Sequence, residues 1–327
     1  MAAKGVFGMQ SYAECPQVLR DFLSYHESIK GQSRRTVEEY HLDLRMFLRF
    51  LTLMRRELPY NTPLDSIDIK GIDAAVLNTV TSSEIFDFLS YLTNDRQNRE
   101  GPNDAGIAAA SRARKLSAIK ALYKYLTVST KQIQNNPVKD IEFPKIRRSL
   151  PKYLTLEEST ALLKAVDGPN KNRDFAILML FLNCGIRRSE LVGLNLTDVY
   201  EDRIRVVGKG NKERLVYFDA RTKIHLQNYL EGRTDGNPAL FVSLKAPFDR
   251  LMIGGVETRL RELGKRLNIP KVHPHKFRRT LATTAIDKGM PIEQVQQLLG
   301  HQKIDTTMHY AMVKQQNVKL AHRKYIG

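Results

Sequence analysis
The sequence predicts a mainly α chain with one small antiparallel β-sheet, divided into an all-α N-terminal domain and an α+β C-terminal domain. Three observations carry that prediction. Apolar side chains recur at helical spacing from 11 to 135, the stretch 135–155 holds three prolines and no period, and two β-branched runs flank the turn GKGNK within 203–218.

In chain order, SRRTVEEYHLDLRMFLRFL, from Ser33, puts Val37, Tyr40, Leu44, Phe47, Leu48 and Leu51 on one helix face, with charge opposite. SSEIFDFLSYL (82–92) presents Ile85, Phe86, Phe88, Leu89 and Leu92 after a Ser cap. ASRARKLSAIKALYKYL (110–126) repeats the pattern with Leu116, Ile119, Leu122, Tyr123 and Leu126. That helix also carries Arg112, Arg114, Lys115 and Lys120. Such a charge run is ordinarily a solvated face, but in a strongly basic chain it becomes a candidate for phosphate contact.

The segment 135–155 reads as an extended linker, made basic by Lys145, Arg147, Arg148 and Lys152 and therefore able to follow a nucleic acid backbone. The expected division is a helical domain over 1–142, a linker over 143–153 and a second domain over 154–327. Thr155-x-x-Glu158 has the form of a capping box that opens the second domain. A buried helix follows at 174–183, then a β-hairpin over 203–218 and a possible third strand, ALFVS, at 239–243. Helices return at 255–267, 275–288 and 291–299, the last with Pro291 in its first turn and Gly300 as its stop.

Composition narrows the function. A chain of 327 residues, 42% hydrophobic, is long enough for two cored domains. Fifty-two Lys and Arg against 35 Asp and Glu leave a net charge of +17, which calls for a polyanionic partner, nucleic acid before acidic membrane. The most apolar run, FAILMLFLNCGI (175–186), falls short of the roughly 20 residues that span a bilayer, so no membrane association is expected. MAAKGVFGMQ lacks the apolar stretch of a secretory signal. With only Cys15 and Cys184, neither a disulfide framework nor a cysteine zinc cluster is expected, which fits a reducing compartment, the cytoplasm or its nucleoid.

No converging set of carboxylates stands out, which argues against two-metal nuclease chemistry. A set of cations and imidazoles stands out instead, namely Arg187, Lys209, His275, Arg278 and His301, followed by Tyr310. Each has a plain explanation alone: Arg187 as a surface residue at a helix start, Lys209 as a solvated turn lysine, and His275 with Arg278 as an ordinary first turn.

Together they sit in four blocks, CGIRRSELVGL, VVGKGNKERLV, HPHKFRRTLAT and LLGHQKIDTTMHY, that resemble in order and spacing the signature blocks of the tyrosine recombinases, the phage-integrase and Xer class. The helical half resembles that family's core-binding domain, so the likeness covers about 11 to 320. It implies a catalytic domain of the tyrosine-recombinase type. It also implies that Arg187 and Arg278 clamp the phosphate, Lys209 is the general acid, His275 and His301 are the paired histidines, and Tyr310 is the nucleophile. Glu190 matches a frequent acidic residue that supports the first arginine. Arg279 departs from the family's usual His and Tyr217 from its usual Pro, neither of them among the six.

The chemistry is coherent. A phenol with a pKa near 10 attacks at neutral pH only if its proton is removed and the phosphorane-like transition state is neutralised. Forked arginines supply the second requirement, and neither metal nor cofactor is then needed. The resemblance further implies double-stranded DNA with a roughly palindromic core site as partner. It implies a homotetramer on DNA, with or without a second recombinase, and a C-terminal tail that links protomers. Xer-like chromosome dimer resolution is favoured over the integrase of a phage, transposon or conjugative element, because no arm-binding module precedes the first helix. A type IB topoisomerase is disfavoured by His275, where that family has Lys, and a non-catalytic architectural DNA-binding protein by the six-residue set.

Overall fold
The computed structural model describes residues 12–94, 106–146, 152–208, 212–301, 304 and 307–308. The chain divides into two compact units, Met1–Arg148 and Ser149–Gly327. The first contains α1 (Gln17–Ser24), α2 (Arg34–Arg55), α3 (Ala74–Asn78), α4 (Ser82–Asn94) and α5 (Ala109–Lys124), with α1 and α5 each running into a π-helical turn. Ser33 caps α2, its Oγ accepting from the Thr36 N–H at 3.3 Å. The apolar faces of α1, α2, α4 and α5 meet in a core of Phe22, Leu44, Phe47, Phe88, Ile119 and Leu122.

Two details differ from expectation. The cap of α4 is Thr81, not Ser82: Thr81 Oγ1 accepts from the Glu84 N–H (3.3 Å), while Glu84 Oε2 accepts from the Thr81 N–H (2.8 Å). Phe86, placed by its apolar character with the core face, is exposed, because it lies between the positions that point inward, Ile85 and Phe88.

The second unit holds α6 (Leu156–Lys164), α7 (Lys171–Cys184), α8 (Arg188–Gly193), β1 (Arg203–Val207), β2 (Glu213–Tyr217), α9 (Ala220–Glu231), α10 (Ile253–Arg266), α11 (Pro274–Asp287) and α12 (Ile292–Leu299). The Thr155/Glu158 capping box opens α6. Helix α7 is buried along most of its length and packs against α9 and α11, around Leu180, Phe181, Leu240, Leu263 and Phe277. Strands β1 and β2 pair antiparallel, Arg203 opposite Tyr217 and Val207 opposite Glu213, and Ile204, Val206 and Val216 face the core. The Gly208 N–H donates to the Lys212 carbonyl at 2.8 Å and closes the strand ends.

ALFVS does not form a strand. Its residues are held by isolated bridges, Asn195 to Ala239 and Val242 to Arg250, and Leu240 and Phe241 are buried as core rather than laddered. Pro291 stands at the N-cap of α12 with extended backbone (ψ 142°), one position outside the first turn. Among the described residues no helix is long and apolar enough to cross a membrane, and no group of metal-ligating side chains converges.

Candidate active site
Two glycines shape the site. Gly185 ends α7 and Gly300 ends α12, both in the left-handed conformation (φ 56° and 62°) that an L side chain adopts only at a cost. Such a stop turns the last helical carbonyls outward, and these carry the partial negative charge of a helix C-terminus. Arg278, buried on α11, takes two of them: its Nη1 donates to the Gly185 carbonyl at 2.5 Å and its Nη2 to the Leu299 carbonyl. Arg187, at the N-cap of α8, takes the next one along, its Nη2 donating to the Gly300 carbonyl at 3.1 Å. The two arginines expected to clamp phosphate thus meet consecutive peptide carbonyls.

Glu190, one turn into α8, organises Arg187. Its Oε2 accepts from the Arg187 backbone N–H (2.8 Å) and its Oε1 from Arg187 Nη1 (2.7 Å). Arg214 of β2 closes on both oxygens of the same carboxylate, at 2.8 and 2.9 Å. Burial alone would push the Glu190 carboxyl up, but the hydrogen bonds and charges of Arg214 and Arg187 outweigh it and hold the pKa at about 2.

His301 follows Gly300 directly. Gln296 brackets its peptide, its carbonyl accepting from the His301 N–H and its Nε2 donating to the His301 carbonyl, both at 3.0 Å. The ring Nδ1 lies 2.8 Å from Oγ1 of the fully buried Thr307. Burial, then the fields of Arg278, Arg187 and Arg214, lower its pKa to about 4, so the imidazole is neutral at physiological pH. His275 is exposed in the first turn of α11, its ring 6.3 Å from that of His273. Its pKa is lowered by partial desolvation and then by Arg188, Arg278, Arg279 and Arg187.

The described residues therefore bring Arg187, Arg278 and His301 together around the ends of α7 and α12, with His275 in the positive field of the arginines. Lys209 and Tyr310 lie outside the described residues, as do Arg147 and Arg148. Among the residues proposed to meet DNA, Arg112 donates to the Ile107 carbonyl at 2.9 Å, Arg114 pairs with Glu39 and Asp43, and Lys120 lies 5.3 Å over the Phe143 ring. Lys115 requires a correction: it is buried, its Nζ 2.6 Å from Asp43 Oδ1, and reaching a phosphate would break that buried pair and leave Asp43 to Arg114 alone.

Sequence reasoning missed Arg214, Gln296 and Thr307. Only Arg214 left a signal, since strand alternation places it on the same side as the core residue Val216, where an arginine needs a buried partner. Three guanidiniums meet here, and Glu190 pairs with two of them, those of Arg187 and Arg214, while Arg278 donates to peptide carbonyls. The excess positive charge suits an anion.

The phage integrase family model matches residues 152–317. A protein named tyrosine recombinase XerC from Caldanaerobacter subterraneus subsp. tengcongensis is 37% identical, covering 94% of this chain and 86% of its own. One of the same name from Vibrio atlanticus is 35% identical, covering 93% and 91%. In fold, the chain resembles the XerH site-specific recombinase bound to a palindromic difH substrate, with a TM-score of 0.67 at 21% identity over 93% of this chain and 83% of that one. A lambda integrase dimer bound to a core site gives a TM-score of 0.63 at 19% identity, over 90% and 75%. With its second unit matched almost end to end and relatives of one name running along nearly its whole length, the chain belongs to the phage integrase family and is a Xer-like tyrosine recombinase.

Proposed function
We propose that this recombinase breaks and rejoins double-stranded DNA at two short, roughly palindromic sites through a 3′-phosphotyrosine at Tyr310, in the Xer-like role of resolving chromosome dimers. The observation that supports it most is the pair of arginines, Arg187 and Arg278, fixed on the Leu299–Gly300 carbonyls immediately before His301. In the reaction, Tyr310 Oη bonds to phosphorus as the bond from phosphorus to the 5′-oxygen breaks. His275 assists removal of the phenolic proton, and Lys209 protonates the departing 5′-oxygen, each step contributing on the order of 10²–10⁴-fold. The arginines neutralise the non-bridging oxygens, and His301 donates to the same group. A 5′-hydroxyl from the other site then attacks the phosphotyrosine, releases Tyr310 and reseals the strand, so the bond energy is conserved.

The relatives' shared name, XerC, supports the chromosomal role over that of a mobile element. The chain is proposed to bind each site as a C₂-like pair and to form a tetramer when two sites synapse. A nicked suicide substrate, which traps the covalent intermediate, tests the core of this reading. Tyr310→Phe is expected to lose the SDS-resistant protein–DNA adduct while binding DNA normally. An adduct that survives in this variant would exclude Tyr310 as the nucleophile and turn attention to Tyr325.

A further inference from the structure
Arg214 belongs to no signature position of the reaction, yet both of its terminal nitrogens are committed beside it. It extends from β2 toward α8 with its side chain 15% exposed, and its two terminal nitrogens grip the two oxygens of Glu190. Glu190 Oε1 also accepts from Arg187, so one buried carboxylate serves two guanidiniums from different elements. Gly300 lies directly against the Arg214 stem, since a Cβ there would come within 3.0 Å of both Cδ and Nε. Gly208, where β1 enters the turn, packs on the same pair, a Cβ there lying 3.6 Å from Glu190 Oε1.

A buried carboxylate facing a single arginine makes a neutral pair. Such a pair holds the guanidinium but cancels the charge it offers to anything else. A second arginine on the same carboxylate leaves the group with a net positive charge, and Arg187 is the member that also reaches the Gly300 carbonyl beside His301. We infer that Arg214 is a positioning residue for recombination: by saturating both oxygens of Glu190, it keeps Arg187 aligned and its positive charge available to the scissile phosphate. This rests on the phosphate-clamp reading of Arg187 given above.

The experiment uses the full chain and two suicide substrates, one with the ordinary scissile phosphodiester and one with a neutral methylphosphonate in its place. A residue that acts through charge on the phosphate matters far less when that charge is gone. On the phosphodiester, Arg214→Ala is expected to slow cleavage about tenfold to a hundredfold, less than the roughly 10²–10³ lost with a direct transition-state donor. On the methylphosphonate, Arg214→Ala and Arg187→Ala should both approach the unsubstituted chain. The double variant Glu190→Gln/Arg214→Ala removes the carboxylate with its partner, which spares the fold an under-paired buried charge and restores the net charge around Arg187. It should cleave ordinary DNA faster than Arg214→Ala alone. Recovery of Arg187→Ala without recovery of Arg214→Ala, or a double variant no faster than the single, overturns the inference. Failure of Arg187→Ala itself to recover overturns the clamp reading and the inference with it.

Discussion

His301 shows how far a single residue is governed by its neighbours. Its pKa of about 4 lies below the ordinary 6.5, so its contribution favours the folded state above pH 6.5 and is lost as the pH falls from 6.5 towards 4. An NMR titration of the free protein should find its midpoint near that value and should find it higher with a phosphodiester bound, because the anion offsets the fields of Arg278, Arg187 and Arg214. A midpoint unmoved by DNA would place the phosphate elsewhere. Glu190 titrates in the same sense, its pKa held at about 2 against 4.5, a difference on the order of 3 kcal/mol that is present above pH 4.5 and lost as the pH falls towards 2. Urea unfolding of Glu190→Gln should therefore show a loss at neutral pH that shrinks in acid. For Lys209, a substrate with sulfur at the 5′-bridging position has a leaving group that needs no proton. Lys209→Ala should cleave it almost normally while failing on ordinary DNA, whereas equal defects on both would refute the general-acid role. That Arg187, Arg278 and His301 lie close together agrees with what the resemblance of their blocks to the family implied. Gln296 and Thr307 were not legible in the sequence, because their importance lies in backbone and hydroxyl contacts that any polar residue in such a run could be making.

The elements that sequence reasoning recovered are those whose signal is local. The 203–218 hairpin follows from alternation, and the start of α6 from a capping box whose two partners lie three residues apart. Thr155→Ala should cost about 1 kcal/mol in chemical denaturation without altering the site. ALFVS was misread because a short apolar run looks the same whether it ladders or packs, and its surroundings on α7 and α10 decide the matter. Lys115 was misread because its partner Asp43 sits far away in sequence on α2. The stop of α7 at Gly185 belongs to the same class of distant causes. A Cβ there would lie 2.7 Å from Leu281 and 2.9 Å from Leu299, in addition to the left-handed backbone. Gly185→Ala should thus destabilise the second unit by about 2 kcal/mol or more, from backbone strain and overpacking together, and it should displace the carbonyl that Arg278 holds. Thermal unfolding reads the first effect and suicide-substrate cleavage the second.

At the scale of the whole chain, a net charge of +17 makes DNA affinity a function of salt. If roughly six to ten phosphates are contacted, binding should weaken by about 10³–10⁵ between 50 and 200 mM salt, a slope measurable by fluorescence anisotropy. The tail AMVKQQNVKLAHRKYIG lies outside the described residues, and its proposed role is to link protomers. Removing residues 316–327 should leave binding to a single half-site intact, weaken cooperative filling of the second and impair recombination. Undiminished cooperativity in a gel-shift titration would mean that the tail packs within its own chain. The Leu299 and Gly300 carbonyls have a further consequence at this scale. They tether the start of the segment that leads to Tyr310 to the two arginines proposed to grip the substrate. Under the proposed roles, one pair of side chains serves both the phosphate and the root of the segment that attacks it, as a single lever works both the vice and the cutting tool.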